Sequence, residues 1–145
     1  MEYQEHWKKL IKSCLHARIS QFLNRRIEIL EAGVCRIDIP FNPDLTQNSS
    51  YLHGAMLFEA ADTAGFVATN SVELTYSVLT VDYHINFVSP VFESAIYAIG
   101  TVASKGRRIM VAKSEVFDAK DKLVAVGQGT YIVSNIRLDS LPHYC

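Results

Sequence analysis

The chain has 145 residues, of which 49% are hydrophobic, 20% charged and 10% aromatic, and its formal charge is −1. A chain this long buries about 68–70% of the surface its unfolded form exposes, so one domain over residues 1–145 needs neither disulfides nor a structural metal. With acids and bases balanced there is no bulk positive field to recruit nucleic acid or an anionic membrane, and an anionic ligand must be met locally.

From Glu2 to Asn24 the apolar residues Trp7, Leu10, Ile11, Cys14, Leu15, Ile19, Phe22 and Leu23 recur every three or four positions. This periodicity predicts an amphipathic N-terminal helix within residues 1–25. Lys8, Lys9, Lys12, His16 and Arg18 interrupt it, which neither a signal peptide nor a membrane span tolerates. The three cysteines, Cys14, Cys35 and Cys145, are odd in number, widely spaced and without zinc-ligand spacing. Free thiols in a reducing compartment, the cytoplasm, are expected, with no bound metal.

After Ile27 the period drops to two. Ile27 and Ile29, the turn residues Glu31-Ala32-Gly33, and Cys35, Ile37, Ile39 and Phe41 predict a hairpin that stops before Pro43. Residues 42–50 are polar and turn-rich, a loop. From Ala55 to Thr69 apolar residues surround a whole helical circumference, which predicts a helix buried on nearly all sides. Four alternating blocks follow, Ser77 to Val88, Ser94 to Ser104, Arg107 to Phe117 and Leu123 to Ser134, leaving residues 135–145 as a C-terminal tail. Their short separators, Ser89-Pro90, Lys105-Gly106 and residues 118–121, predict antiparallel pairing. The expected architecture is α+β, a curved antiparallel sheet wrapped around the central helix. Its unprotected edges predict a homodimer formed by edge pairing.

Asp62 is the residue least suited to its surroundings, a carboxylate inside a core helix with Glu59 one turn before it. As i and i+3 neighbours the two acids share a face, so Glu59 stands as a second carboxylate beside a working Asp62. The alternative is that one of them is exposed at a dimer seam or bonded to backbone. Directly upstream, His53-Gly54 opens the helix, where unpaired amides and the helix dipole suit an oxyanion and Gly54 allows close approach. A capping role for His53 is the alternative. In the strand from Leu79 to Phe87, strict alternation puts Thr80, Asp82, His84 and Asn86 on the face opposite Leu79, Val81, Tyr83, Ile85 and Phe87. Lys105-Gly106-Arg107-Arg108 is a cationic tip, either an ordinary solvated turn or a phosphate clamp.

The polar loop ending in His53-Gly54, the buried helix with Ala61-Asp62-Thr63-Ala64, the strand ending Phe87-Val88-Ser89-Pro90 and the Gly-Arg-Arg turn together resemble the hotdog-fold acyl-CoA thioesterases of phenylacetate type, from about Arg36 to Val133. The resemblance implies hydrolysis of an acyl- or aryl-acyl-CoA thioester, with Asp62 at the position of the catalytic carboxylate and contributed by the partner subunit. It implies that Gln47 helps hold the thioester, that the Gly54 amide polarises the carbonyl and that Thr80 positions water. Lys105, Arg107 and Arg108 would meet coenzyme A phosphates, and Met56, Phe58 and Phe66 would line the acyl space. Coenzyme A enters as part of the substrate, with no separate cofactor, and the dimer can pair into a dimer of dimers. Ala55 replaces the family's second glycine after the histidine, and Ser50 its loop glycine. These departures leave a second function open, an acyl-CoA-binding or sensing protein with weak or no turnover. The Pro-Gly context of the sister dehydratases is missing.

Overall fold

The computed structural model describes residues 3–145. The amphipathic N-terminal segment forms two helices, α1 (Tyr3–His16) and α2 (Arg18–Leu23), because Ala17 takes an extended conformation between them; Glu2 lies outside the described residues. Leu10 and Leu23 are the buried anchors of this layer.

Strands β1 (Arg26–Glu31) and β2 (Val34–Ile39) form the expected hairpin, and Gly33 supplies the positive φ of +83° that its turn requires. Helix α3 (Gly54–Ser71) has Ala60, Ala61, Ala64, Val67 and Ala68 fully buried. Strands β3 (Tyr76–Phe87), β4 (Ile96–Lys105), β5 (Ile109–Asp118) and β6 (Leu123–Arg137) complete one six-stranded sheet in the order β1-β2-β4-β5-β6-β3.

Every pairing is antiparallel. The Ser89-Pro90 separator nevertheless closes no hairpin. Strand β3 lies at the sheet edge beside β6, and residues 88–95 cross from that edge toward β4. The crossing is pinned to the loop before α3, where the Leu52 amide donates to the Val91 carbonyl at 2.8 Å and Tyr51 bridges Phe92.

The sheet wraps α3, and Ile37, Ile39, Ile96, Ala98 and Val116 fill the space between. After β6 the chain does not trail away as a free tail. Leu138 and Tyr144 are buried, and the Tyr144 hydroxyl lies 2.7 Å from His6 Nδ1. All three cysteines are unpaired. Among the described residues no helix is long and apolar enough to cross a membrane.

Candidate active site

The start of α3 is organised by His53. Its ring Nδ1 accepts from the Ala55 amide at 3.0 Å and its carbonyl accepts from Met56 at 2.9 Å. Two of the first three amides are thereby consumed, and the Gly54 N–H, first in the helix, is left without an intrahelical acceptor. Beside it lies a cleft of about 320 Å³ lined by Gln47, Leu52, Gly54, Leu57 and the segment from Phe87 to Val91. The Gln47 side chain uses its oxygen on Ser49, from the amide at 3.2 Å and the hydroxyl at 2.8 Å, so its NH₂ group is the end available to a ligand. His53 is therefore a cap that determines which amide stays open, and its ring is committed to the backbone.

The two departures from the family pattern have visible consequences. Ser50 takes φ +70°, the left-handed region that a glycine enters freely and a serine enters at a cost of roughly 1–2 kcal/mol. Ala55 is exposed, and its amide is the one capped by His53.

Asp62 lies eight residues along the helix from Gly54, about 12 Å at 1.5 Å per residue. Its Oδ1 accepts from the Thr80 hydroxyl at 2.9 Å and from the Tyr131 hydroxyl at 3.1 Å. Among the described residues Asp62 belongs to no ion pair. Thr80 reaches it because of a bulge. The β3–β6 register slips between Thr80, opposite Tyr131, and Asp82, opposite Thr130, so Val81 is extra and Thr80 shares the inner face with Tyr83. Strict alternation had set these two on opposite faces. Asp82, His84 and Asn86 remain on the solvated side.

Glu59 is not a second carboxylate working with Asp62. It forms an ion pair with Arg25 and accepts from Thr63 Oγ1 at 2.9 Å, while Asp62 meets β3 and β6. Arg25 is itself buried and also donates to Ser20 Oγ and Thr63 Oγ1.

Met56, Phe58 and Phe66 do not border the cleft beside Gly54. Phe58 and Phe66 stand four residues before and after Asp62, on its helical face, so they flank the carboxylate. The Phe58 ring meets Tyr83 edge-on at 5.1 Å. Met56 is half-buried against the core.

Lys105 is held at the far end of α3, where its Nζ donates to the Val72 carbonyl at 2.8 Å. Arg107 and Arg108 are exposed on the same turn. In a single chain none of the three reaches the Gly54 cleft.

Two tyrosines escaped the sequence reading. Tyr131 is fully buried, and burial together with the Asp62 charge pushes its phenol far up, so it stays a donor. Tyr83 is shifted the same way by burial. The available signal was Gly127 and Gly129, alternate glycines inside a strand, which mark a bulky neighbour.

Comparisons with known proteins bear on the family and the fold. The family model of the thioesterase superfamily matches residues 50–125. Two proteins of Saccharolobus solfataricus, named provisionally as esterases, are 32% and 28% identical, over 79% and 85% of this chain and 77% and 88% of their own lengths. The Escherichia coli PaaI protein of the phenylacetic acid degradation operon superposes with a TM-score of 0.85 at 20% identity, covering 93% of this chain and 97% of that one. A Haemophilus influenzae thioesterase superposes at 0.79 with 23% identity, covering 86% and 88%. The chain is a hotdog-fold protein that belongs to the thioesterase superfamily, whose chemistry is hydrolytic.

Proposed function

We propose that the protein hydrolyses an acyl- or aryl-acyl-CoA thioester to the free acid and coenzyme A, as a homodimer with composite sites. The observation that carries the proposal is the pairing of an open Gly54 amide with an Asp62 carboxylate that has donors but no cation. The two stand about 12 Å apart on one helix, too far to act on one carbonyl, so each site takes them from different copies.

The edges of the sheet favour that assembly. Strand β1 is short and ends in charge, whereas β3 spans 12 residues with Val81 58% and Phe87 54% exposed and pairs on one side only. A long apolar edge of this kind is covered in a stable protein. A second copy pairing antiparallel along β3 reverses α3 between copies, bringing one chain's Asp62 toward the other's Gly54. Such dimers can pair further into a dimer of dimers.

In the composite site the Gly54 amide, assisted by the Gln47 NH₂ group, receives the developing oxyanion. The partner's Asp62 removes a proton from water as its oxygen attacks the carbonyl carbon. The C–S bond then breaks, and the coenzyme A thiolate takes up the proton. Thr80, already donating to Asp62, presents its oxygen as an acceptor for that water. Direct attack by the carboxylate, through an anhydride that water then opens, uses the same residues. Arg107 and Arg108 supply positive charge for the coenzyme A phosphates, Phe58 and Phe66 apolar surface for the acyl group. Free thiols and a coenzyme A substrate suit the cytoplasm.

Thiol release measured across short, aryl and long acyl-CoA esters tests this reading. Asp62→Asn is expected to lower kcat at least about a hundredfold in a folded dimer. Wild-type activity in that variant ends the assignment, and binding of acyl-CoA without turnover of any ester makes the protein a binding or sensing module.

A further inference from the structure

Thr80 accounts for one of the two donors on Asp62; the other comes from a residue that no family feature assigns. We propose that Tyr131 is a positioning residue, which with Thr80 holds Asp62 Oδ1 so that only Oδ2 is presented to the reacting water or carbonyl. The inference rests on the catalytic reading of Asp62 given above.

Three observations carry it. Both donors converge on Oδ1, Thr80 at 2.9 Å and Tyr131 at 3.1 Å, while among the described residues Oδ2 accepts no hydrogen bond. The same phenol lies 3.2 Å from the Asp62 carbonyl oxygen, so a single hydroxyl touches both the side chain and the backbone of that residue. Those two contacts fix the carboxylate relative to its own helix turn, which Thr80 alone does not do.

The third observation is the slot in which the ring lies. A methyl group at Gly65 would run into the Tyr131 hydroxyl, and one at Gly129 would meet the Tyr83 ring first and then the Tyr131 ring and hydroxyl at 2.9 Å. Glycine inside a buried helix costs about 1 kcal/mol relative to alanine, so Gly65 is explained by what it makes room for. The helix has given up a side chain to let one phenol reach one carboxylate.

The groups facing Asp62 from its neighbours are Tyr131 from β6 and Thr80 and Tyr83 from β3, and the Ser114 hydroxyl of β5 is turned to the Ala61 carbonyl at 2.8 Å. Among the described residues no cation is within ion-pair distance. With no charge to orient it, the carboxylate depends on neutral donors. Of these, Tyr131 is the one sealed from water, and its burial keeps the proton on the phenol. It orients Asp62 without exchanging a proton in the reaction.

Tyr131→Phe, measured beside Asp62→Asn on the full-length protein, is the test. Tyr131→Phe is expected to lower kcat about tenfold with KM within about twofold, because orientation is lost while binding is kept. Tm should fall by no more than about 4 °C. The Asp62 side-chain carboxyl ¹³C resonance should move, and 3-fluorotyrosine at position 131, which restores the donor, should return kcat toward wild type. An inactive Asp62→Asn together with unchanged kcat and an unmoved resonance in Tyr131→Phe overturns the positioning role and leaves the thioesterase reading standing. A lowered kcat that fluorotyrosine fails to rescue overturns it as well, by making Tyr131 a packing residue. A fully active Asp62→Asn removes the thioesterase reading and the positioning role together.

Discussion

The two ends of α3 are treated in opposite ways. At its C-terminal end the last carbonyls are taken up by side chains from elsewhere in the fold: Asn70 O by His6 Nε2 at 2.7 Å, Ser71 O by the Trp7 indole at 3.0 Å, Val72 O by Lys105 at 2.8 Å. The Asn70 side chain gives its NH₂ to the Glu73 and Tyr76 carbonyls and accepts from the Val78 amide. At the N-terminal end a local cap from His53 satisfies two amides, and a third faces a cleft. One end belongs to stability; the other, in the function proposed above, belongs to the ligand. A helix that crosses the whole domain can be rigid where the chemistry needs support and open where it needs a donor.

The strongest way to break this division is to attack the closed end. Asn70→Ala removes three hydrogen bonds from a fully buried residue and leaves their partners unpaired, so it should cost roughly 3 kcal/mol in urea unfolding. Activity per folded molecule should be retained. A variant with unchanged stability and reduced kcat would reverse the roles of the two ends.

A moderate effect is expected where the division is least sharp, at the β4–β5 turn. There Lys105 seals the helix while Arg107 and Arg108 stay free, and in an antiparallel pair this end of one copy approaches the open end of the other. Replacing both arginines by alanine should raise KM for acyl-CoA roughly fivefold to tenfold and change kcat little. An unchanged KM returns the turn to plain solvent-facing structure.

The smallest effect is the pH response of the closed end. His6 is buried between the Asn70 carbonyl and the Tyr144 hydroxyl, and burial lowers its pKa below 6.5. The unfolded chain therefore takes up the proton first. Stability is fully present above about pH 6.5 and declines as the pH falls below it, toward the folded-state value. His6→Gln should flatten that part of a Tm-against-pH curve.

Much of the fold was legible because it is written in local periods. The all-round apolarity from Ala55 to Thr69 marks a central helix, and two-residue alternation marks the strands wrapped on it. Strand order was not legible, since β3 pairs with β6 across the intervening residues 88–122 and no local pattern records a partner. The bulge at Val81 was hidden for a related reason. Leu79, Val81 and Tyr83 alternate without a break, and the slip shows only against the opposing strand. At the site, Asp62 and the Gly54 amide stood out as a charge in a core helix and a glycine at a helix start. The fate of Glu59 did not, because its partner Arg25 lies 34 residues upstream. Tyr131 is not singled out within the alternating block from Leu123 to Ser134, although the glycines around it recorded its size.

Arg25 has a consequence for how the molecule comes together. Its guanidinium is buried under α2, and its counter-ion, Glu59, belongs to a helix made later in the chain. An unmatched buried charge costs several kcal/mol, so the N-terminal helices gain a settled resting place only once α3 has formed. Amide exchange during refolding should therefore protect α3 before α1 and α2, which close over the sheet-wrapped helix as a late cover.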